Sequence, residues 1–262
     1  LEEVQIQAAR AATDYSTLKT ISIESIGEKE FRRAACCNLS EAFETSPTVS
    51  VAYTDAVTGV KEIRLLGLSG IYTQLLTEAV PNYRGLAAPY GLFFIPSPWV
   101  QSIQVTKGVG SVQQGYEAFS GQVNIELKKP DDDDVPRLFV NLFGEQNGNM
   151  EVNIHGKQKI NDQWSTIVMA HGNYMEGIQD QQDDGFLDIP HNKQVNLYNR
   201  WQYHGTGRLE SQLGFRYIDD WREGGQYGSP SNHHGGAYTT DVQNRRMELF
   251  GKLGILFPDK EG

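Results

Sequence analysis

WVQSIQVTKGVGSVQQGYEAFSGQVNIELKKP, residues 99–130, alternates β-branched or apolar residues with polar ones around a glycine-punctuated centre. A period of two places successive side chains on opposite faces, the pattern of short, half-buried strands. Gly108, Gly110, Gly115 and Gly121 fall at turn spacing, where a chain needs positive φ or close backbone approach. VKEIRLLGLSGIYTQLLTEAVP, residues 60–81, repeats the style and closes on Val80-Pro81. Both stretches read as short strands joined tightly.

Together they resemble the plug domain of TonB-dependent outer-membrane receptors. In that family an Arg-x-x-Gly-like turn ends one strand and a second strand closes on Val-Pro; Arg64, Gly67, Val80 and Pro81 stand in those places. The family's longer glycine-rich run is filled in order by Ile103, Val105, Gly108, Ser111, Gly115, Gly121, Val123, Asn124, Ile125, Lys128 and Pro130. Thr77-Glu78-Ala79 departs from the pattern, because the family often carries Asp-Gly before the Val-Pro, and leaves the geometry of that turn open. The competing reading of these stretches is another small α+β domain with glycine turns.

Composition narrows the classes. The chain has 262 residues and a net charge of −10, which argues against nucleic acid as a partner, since phosphate neutralisation needs a basic face. Its 27 Gly and 12 Tyr suit a barrel with aromatic girdles. No apolar run reaches the length of about 18 residues that a membrane helix needs, which is uninformative for a barrel of alternating strands. The chain begins at Leu1 with neither an initiator Met nor a signal peptide, and reads as a fragment or processed piece.

Toward the N-terminus, EEVQIQA (2–8) alternates and is either a first plug strand or, by the resemblance, the segment that pairs with TonB on the periplasmic side. Glu3, Val4, Gln5, Ile6 and Gln7 are its contact candidates, and strand addition supplies affinity through main-chain hydrogen bonds. TISIESI (20–26) reads as a strand, residues 28–47 as a helix stopped by Pro47, and TVSVAYTD (48–55) as a strand before a turn at Asp55–Gly59. Cys36-Cys37 is a soft-metal pair or two small residues on a packed helix. The Pro-, Gly- and aromatic-rich stretch 86–98 is packed under something or exposed for a ligand. In the receptor family the apical loops of the plug face the binding cavity. That makes Tyr83, Arg84, Tyr90, Phe93 and Phe94 the substrate-contact candidates, against packing of Phe93 and Phe94 on the barrel wall.

KKPDDDDVP (128–136) marks a boundary, its four Asp residues repelling one another between prolines. Beyond it come long alternating strands near 137–145, 149–160, 164–176, 193–204, 208–222 and 242–257. In the fourth, Val195, Leu197, Trp201 and Tyr203 oppose Asn196, Arg200, Gln202 and His204; the fifth and sixth behave alike. The connections alternate in length, with the long ones (177–192 and 223–241) on one side, as in outer-membrane barrels. The resemblance implies a barrel of about 22 strands, which these strands alone cannot close. The expected fold is thus an α+β plug (1–129), an acidic linker (130–136) and the first six antiparallel strands (137–262) of an incomplete 22-stranded outer-membrane β-barrel, its apolar face against lipid.

No catalytic constellation stands out, and the chain does not read as an enzyme. Gly108-Val109-Gly110 lacks the third glycine of a dinucleotide loop, and His233-His234 sit in a long loop, where they are solvated or meet haem or a metal. Asp180, Gln182, Asp184, Phe186 and Asp188 have the spacing of an EF-hand-type loop around Gly185, with His191 where a bidentate Glu belongs; the expectation is weak calcium or a plain solvated loop, with no other cofactor. The resemblance implies TonB-driven uptake of a scarce nutrient (iron–siderophore, haem, cobalamin, metal complex or glycan) across the bacterial outer membrane. The alternatives are a sensing or adhesion receptor without import and a soluble secreted β-protein.

Overall fold

The computed structural model describes residues 13–16, 23–27, 39, 43, 49–55, 57–110, 117–205, 208–227, 238–255 and 257. The N-terminal unit is built on a six-stranded sheet. It contains β1 (Thr13–Ser16), β2 (Ile23–Gly27), β5 (Thr73–Thr77), β6 (Val80–Pro81), β7 (Val100–Lys107) and β8 (Gly121–Leu127), in the order β1-β2-β7-β8-β5-β6. Only the β5–β8 pairing is parallel. β3 (Ser50–Asp55) and β4 (Val60–Arg64) form a separate hairpin. Gly121 opens β8 at positive φ where a Cβ would collide with the Thr106 carbonyl, which explains the glycine at the head of the 99–130 motif. Of the expected 28–47 helix, Leu39 and Phe43 lie within the described residues; both are helical and buried, one turn apart.

The C-terminal unit is an up-and-down sheet. Its strands are β9 (Leu138–Gly144), β10 (Met150–Lys159), β11 (Trp164–Met175), β12 (His191–His204), β13 (Leu209–Gly225) and β14 (Thr239–Ile255), each antiparallel to the next. Its burial is inverted relative to a soluble sheet. Leu213 and Phe215 are 53% and 47% exposed, while Arg216 between β13's apolar positions is 2% exposed. Asn196, Arg200, Asp220 and Arg222 are buried on the same inner face, and Leu197, Trp201, Met247, Leu249 and Leu253 are exposed on the outer one. Such a sheet is stable when lipid covers the outer face. The outer face also carries aromatic clusters at two heights: Trp164 meets Trp201 and Tyr203 near one end, and Lys193 lies over Tyr174 and Trp221 near the other. Trp164 and Tyr174 are about 33 Å apart along β11 at the usual rise, or about 25 Å in height at barrel tilt, matching an outer-membrane apolar band.

One core joins the two units. Trp99, Phe94, Ile103, Val123 and Ile125 of the N-terminal unit pack in one buried cluster with the inward-facing Ile167, Met169, Tyr198 and Ile218 of the strand wall. Each fully buried side chain of this kind contributes about 1.5–3 kcal/mol. The N-terminal unit is therefore seated against the inner face of the wall by apolar burial, with polar contacts above and below that belt.

The acidic stretch between the units stays largely exposed, yet it is tied down. Asp131 accepts hydrogen bonds from Ser165 Oγ (2.5 Å) and pairs with His204 Nε2 (2.8 Å), and the Lys157 ammonium donates to the Asp132 carbonyl. The Asp131 carboxylate and the Asp132 backbone thus anchor the stretch at the wall's short-turn end.

Candidate ligand cavity and the contacts that seat the N-terminal unit

At the long-loop end a cavity of about 490 Å³ opens between the two units. Tyr53, Gly59 and Lys61 of the β3–β4 hairpin and Phe93 form its floor. Glu145, Asn147 and Asn149 of the β9–β10 turn, His171, Asn173 and Met175 of β11, Asn192 and Gln194 of β12, and Arg222 of β13 line its side. The hairpin tip is wedged into the wall: Thr58 is buried, and a Cβ on Gly224 would collide with the Val57 carbonyl. A larger residue at 224 would push the floor away from the wall. The side is held by a hydrogen-bond network. Asn153 donates to Glu151 (2.6 Å) and shares a 2.9 Å hydrogen bond with His171 Nδ1; Gln194 and Arg222 both donate to Asp220, at 3.0 Å and 3.1–3.2 Å. The Arg222 guanidinium stacks 4.1 Å over the Phe93 ring, fixing Phe93 at the cavity floor.

At the opposite, short-turn end the units are joined by ionic contacts. The β5–β6 turn places Glu78 and Ala79 at φ 56° and 62°, the two positive angles of a type I′ turn that normally selects Asn-Gly. Each non-glycine residue there costs about 1–2 kcal/mol. Their surroundings hold them: Glu78 N–H donates to the Ile125 carbonyl (3.0 Å), and Ala79 N–H to Asn124 Oδ1 (2.7 Å). The turn aims the Glu78 carboxylate at Arg200, whose side chain is 0% exposed, in a bidentate pair of 2.9 and 3.2 Å. Leu127 N–H donates to the same carboxylate (3.0 Å), Lys252 lies 3.6 Å away, and Gln212 accepts from Arg200 (2.7 Å). Burial works against ionisation of Glu78, but the Arg200 charge and these hydrogen bonds hold its carboxyl below the usual value. Glu126 beside it is pushed up, by burial first and the Glu78 charge second.

A second tie lies between these ends. Arg216 projects from β13 into the N-terminal core, donating to the Tyr83 hydroxyl, the Phe94 carbonyl and Asn196 Oδ1, with Trp99 5.6 Å from its guanidinium. Burial pushes the Tyr83 phenol up, so it stays neutral. Arg246 lies 4.9 Å over the same ring and donates to Asn82.

Of the five substrate-contact candidates, the structure brings Phe93 to the cavity. Tyr83 and Phe94 are buried at the Arg216 tie, Tyr90 stacks on Phe94 at 6.4 Å, and Arg84 is exposed and paired with Glu117 at 2.7 Å. Phe94 thus takes the packing role, and a ligand in the cavity cannot reach it or Tyr83 without moving the core. Glu3, Val4, Gln5, Ile6 and Gln7, Cys36-Cys37 and His233-His234 lie outside the described residues. In the acidic outer loop the carboxylates turn to the loop itself. Asp180 accepts from Gly185 N–H (2.9 Å), Asp184 N–H (3.2 Å) and Tyr227 Oη (2.8 Å), Asp184 from Phe186 N–H (2.9 Å), and Asp188 from Gln181 N–H (2.7 Å). Gln182 takes no part in these bonds, and no group of three or more metal-ligating side chains occurs among the described residues. The two long loops also pair, through Phe186 with Gln226 and Leu187 N–H to the Gly225 carbonyl (2.8 Å).

This arrangement, a mixed sheet packed inside an inverted strand wall, can be compared with known proteins. Residues 17–122 match the family model described as TonB-dependent Receptor Plug Domain. Residues 17–122 are thus a TonB-dependent receptor plug domain. Receptors that carry this domain are bacterial outer-membrane proteins, a setting in which an inverted strand face such as this one meets lipid. Solved structures agree on the fold across plug and wall together. The P. aeruginosa receptor FpvA bound to heterologous pyoverdines superposes with a TM-score of 0.72 at 14% identity, covering 93% of this chain and 33% of that one. The ferric yersiniabactin uptake receptor FyuA from Yersinia pestis gives 0.66 at 16% identity, covering 89% and 38%. The copper transporter OprC gives 0.67 at 13% identity, covering 94% and 36%. The siderophore receptor PiuA from Acinetobacter baumannii, at 15% identity and a TM-score of 0.61, is covered over 77% of this chain and 27% of its own. The chain therefore spans roughly a quarter to two fifths of the length of these receptors. No curated protein sequence matches.

In plug-and-wall terms, sequence reasoning missed Tyr53, Lys61, Glu78, Arg200 and Arg216. Two signals were available. The Glu78-Ala79 departure from Asp-Gly marked a turn with a reason to be strained. Arg200 and Arg216 fell on the inner face of adjacent strands, where a charged side chain needs a partner from the plug.

Proposed function

We propose that the chain is the plug and opening wall of a receptor that imports a scarce nutrient into the periplasm. The candidates are an iron–siderophore, haem, cobalamin, a metal complex or a glycan. The observation that carries this reading is the position of the cavity: it faces the long loops, directly above a plug whose core is continuous with the wall. A ligand captured there would reach the periplasm by movement of the plug. Import then requires work on the plug, and TonB pulling on residues 3–7 by strand addition is the means the family offers. The division is residues 1–129 as plug, 130–136 as linker and 137–262 as the opening wall, with further strands completing a barrel of about 22. Phe93 is the substrate contact retained from the sequence, joined by Tyr53 and Lys61. The acidic outer loop is at most a weak calcium site, because its carboxylates already bind the loop backbone.

The test is uptake by cells making the receptor, with and without an energised TonB system, and with residues 2–8 deleted. Accumulation inside the cell that needs both supports import. Surface binding that persists in every case, with no accumulation, would favour a sensing or adhesion receptor.

A further inference from the structure

We propose that the tip of the β3–β4 hairpin is the seat of the outer loop 177–192: the loop is held over the cavity while the tip is engaged and freed when it withdraws. The hairpin belongs to the plug but stands outside its six-stranded sheet. Its root is fixed. Ile63 is buried in the shared core, and Glu62 accepts from Gly70 N–H (2.8 Å) and Ser69 Oγ (2.9 Å). Its tip is shaped by Asp55, which accepts from Val57 N–H (2.9 Å) and from the Thr58 hydroxyl. Movement of the plug core therefore carries the tip with it.

Two contacts tie that tip to the loop. The inward column of β13 runs Arg216, Ile218, Asp220, Arg222 and ends on Gly224. A Cβ at 224 would stand 1.8 Å from the Val57 carbonyl oxygen, so a glycine is what lets the tip close on the strand. Gly225 beside it, at φ 115°, turns its carbonyl to Leu187 N–H (2.8 Å), and Tyr227 N–H donates to the Gly185 carbonyl (3.1 Å). The strand end that receives the hairpin on one residue thus holds the loop on the next. At the loop's second anchor Pro190 meets the tip directly: a Cβ on Gly59 would lie 3.0 Å from its ring. Leu187 and Pro190 are buried, although most of the loop around them is exposed.

Asp188 and Ile189, between the two anchors, line the cavity together with Tyr53 and Lys61 of the hairpin. Withdrawal of the tip removes the support of both anchors at once. Linkage makes the coupling reciprocal: what loosens the loop loosens the tip. This goes beyond the import reading, which requires the plug to move but assigns nothing to the loop.

The experiment is amide hydrogen exchange of the receptor carrying this chain, purified in detergent and read by mass spectrometry. Asp55→Ala loosens the tip from the plug side, and Pro190→Ala removes the packed ring from the loop side. Asp55→Ala should speed exchange at Gly185–Asp188 about tenfold. Pro190→Ala should speed exchange at Val57–Gly59 about threefold. The β13 amides at 212–217 should stay unchanged in both. Faster exchange confined to the substituted side, in either variant, overturns the coupling. Protection in β7 and β8 reports whether the plug remains folded; where Asp55→Ala abolishes it, Pro190→Ala decides alone. Neither TonB nor an energy source enters this measurement. Its failure therefore leaves the import reading standing, and a failure of uptake leaves the coupling standing.

Discussion

Replacing Arg200 with Met tests the seating of the plug. The Arg200 side chain is fully buried and gives two hydrogen bonds to Glu78 and one to Gln212. Removing one partner of a buried ion pair generally costs about 3–5 kcal/mol, because the other charge is left desolvated. Here Glu78 keeps Lys252 at 3.6 Å and the Leu127 N–H at 3.0 Å. Those contacts put the expected loss at the lower end, about 3 kcal/mol. Trp99, buried 6.3 Å from Tyr198 of the wall, reports plug release in a urea titration of the detergent-solubilised receptor, read against a Trp99→Phe control. Adding Glu78→Gln to Arg200→Met should cost less than the sum of the single losses, by about 2 kcal/mol. A shift below about 1 kcal/mol for Arg200→Met, or additive losses in the double variant, would show that the Glu78–Arg200 pair does not seat the plug.

Three further outcomes follow from the same geometry. Ala79→Gly should stabilise the plug by about 1 kcal/mol by relieving a positive φ, seen as a higher urea midpoint; an unchanged or lower midpoint would mean that the turn is not strained. Acidification should act in two opposite steps. Glu126, with its pKa raised, binds its proton more tightly in the folded state, so stability rises as pH falls through that raised value. Glu78, with its pKa lowered, contributes fully above the ordinary carboxylate value and loses that contribution as pH falls through its lowered one. Urea midpoints against pH should therefore pass through a maximum that Glu126→Gln removes, and a monotonic fall in the unmodified receptor would contradict this. Leu213→Arg should cost about 2–4 kcal/mol at the bilayer midplane; a cost near zero would mean the faces are misassigned.

Much of this architecture is legible in the residues. The glycine-punctuated alternation at 99–130 carries the plug because a Cβ at Gly121 has nowhere to go. The wall is legible because its alternation is long and its two faces differ sharply in chemistry. The site is less so. Periodicity places Arg200 and Arg216 on the inner face but cannot say what they meet, since their partners Glu78 and Tyr83 lie more than a hundred residues earlier in the chain. The aromatic stretch 86–98 looks like a ligand loop because it is apolar, yet most of that apolarity goes into packing, with Phe94 held between Tyr83 and Tyr90. Tyr53 gives no such signal: it sits in an ordinary strand pattern, and only the hairpin's wedge into the wall brings it to the cavity.

This wall turns its apolar face to lipid and its charged face to a plug. Spin labels placed singly at positions 211 to 217 of β13, in the receptor reconstituted into bilayers, measure that directly through collision with dissolved oxygen. Alternation is expected: high oxygen accessibility at 211, 213, 215 and 217, and low accessibility at 212, 214 and 216, where the plug excludes both oxygen and aqueous relaxants. Uniform accessibility along the strand, or alternation of the opposite phase, would contradict it.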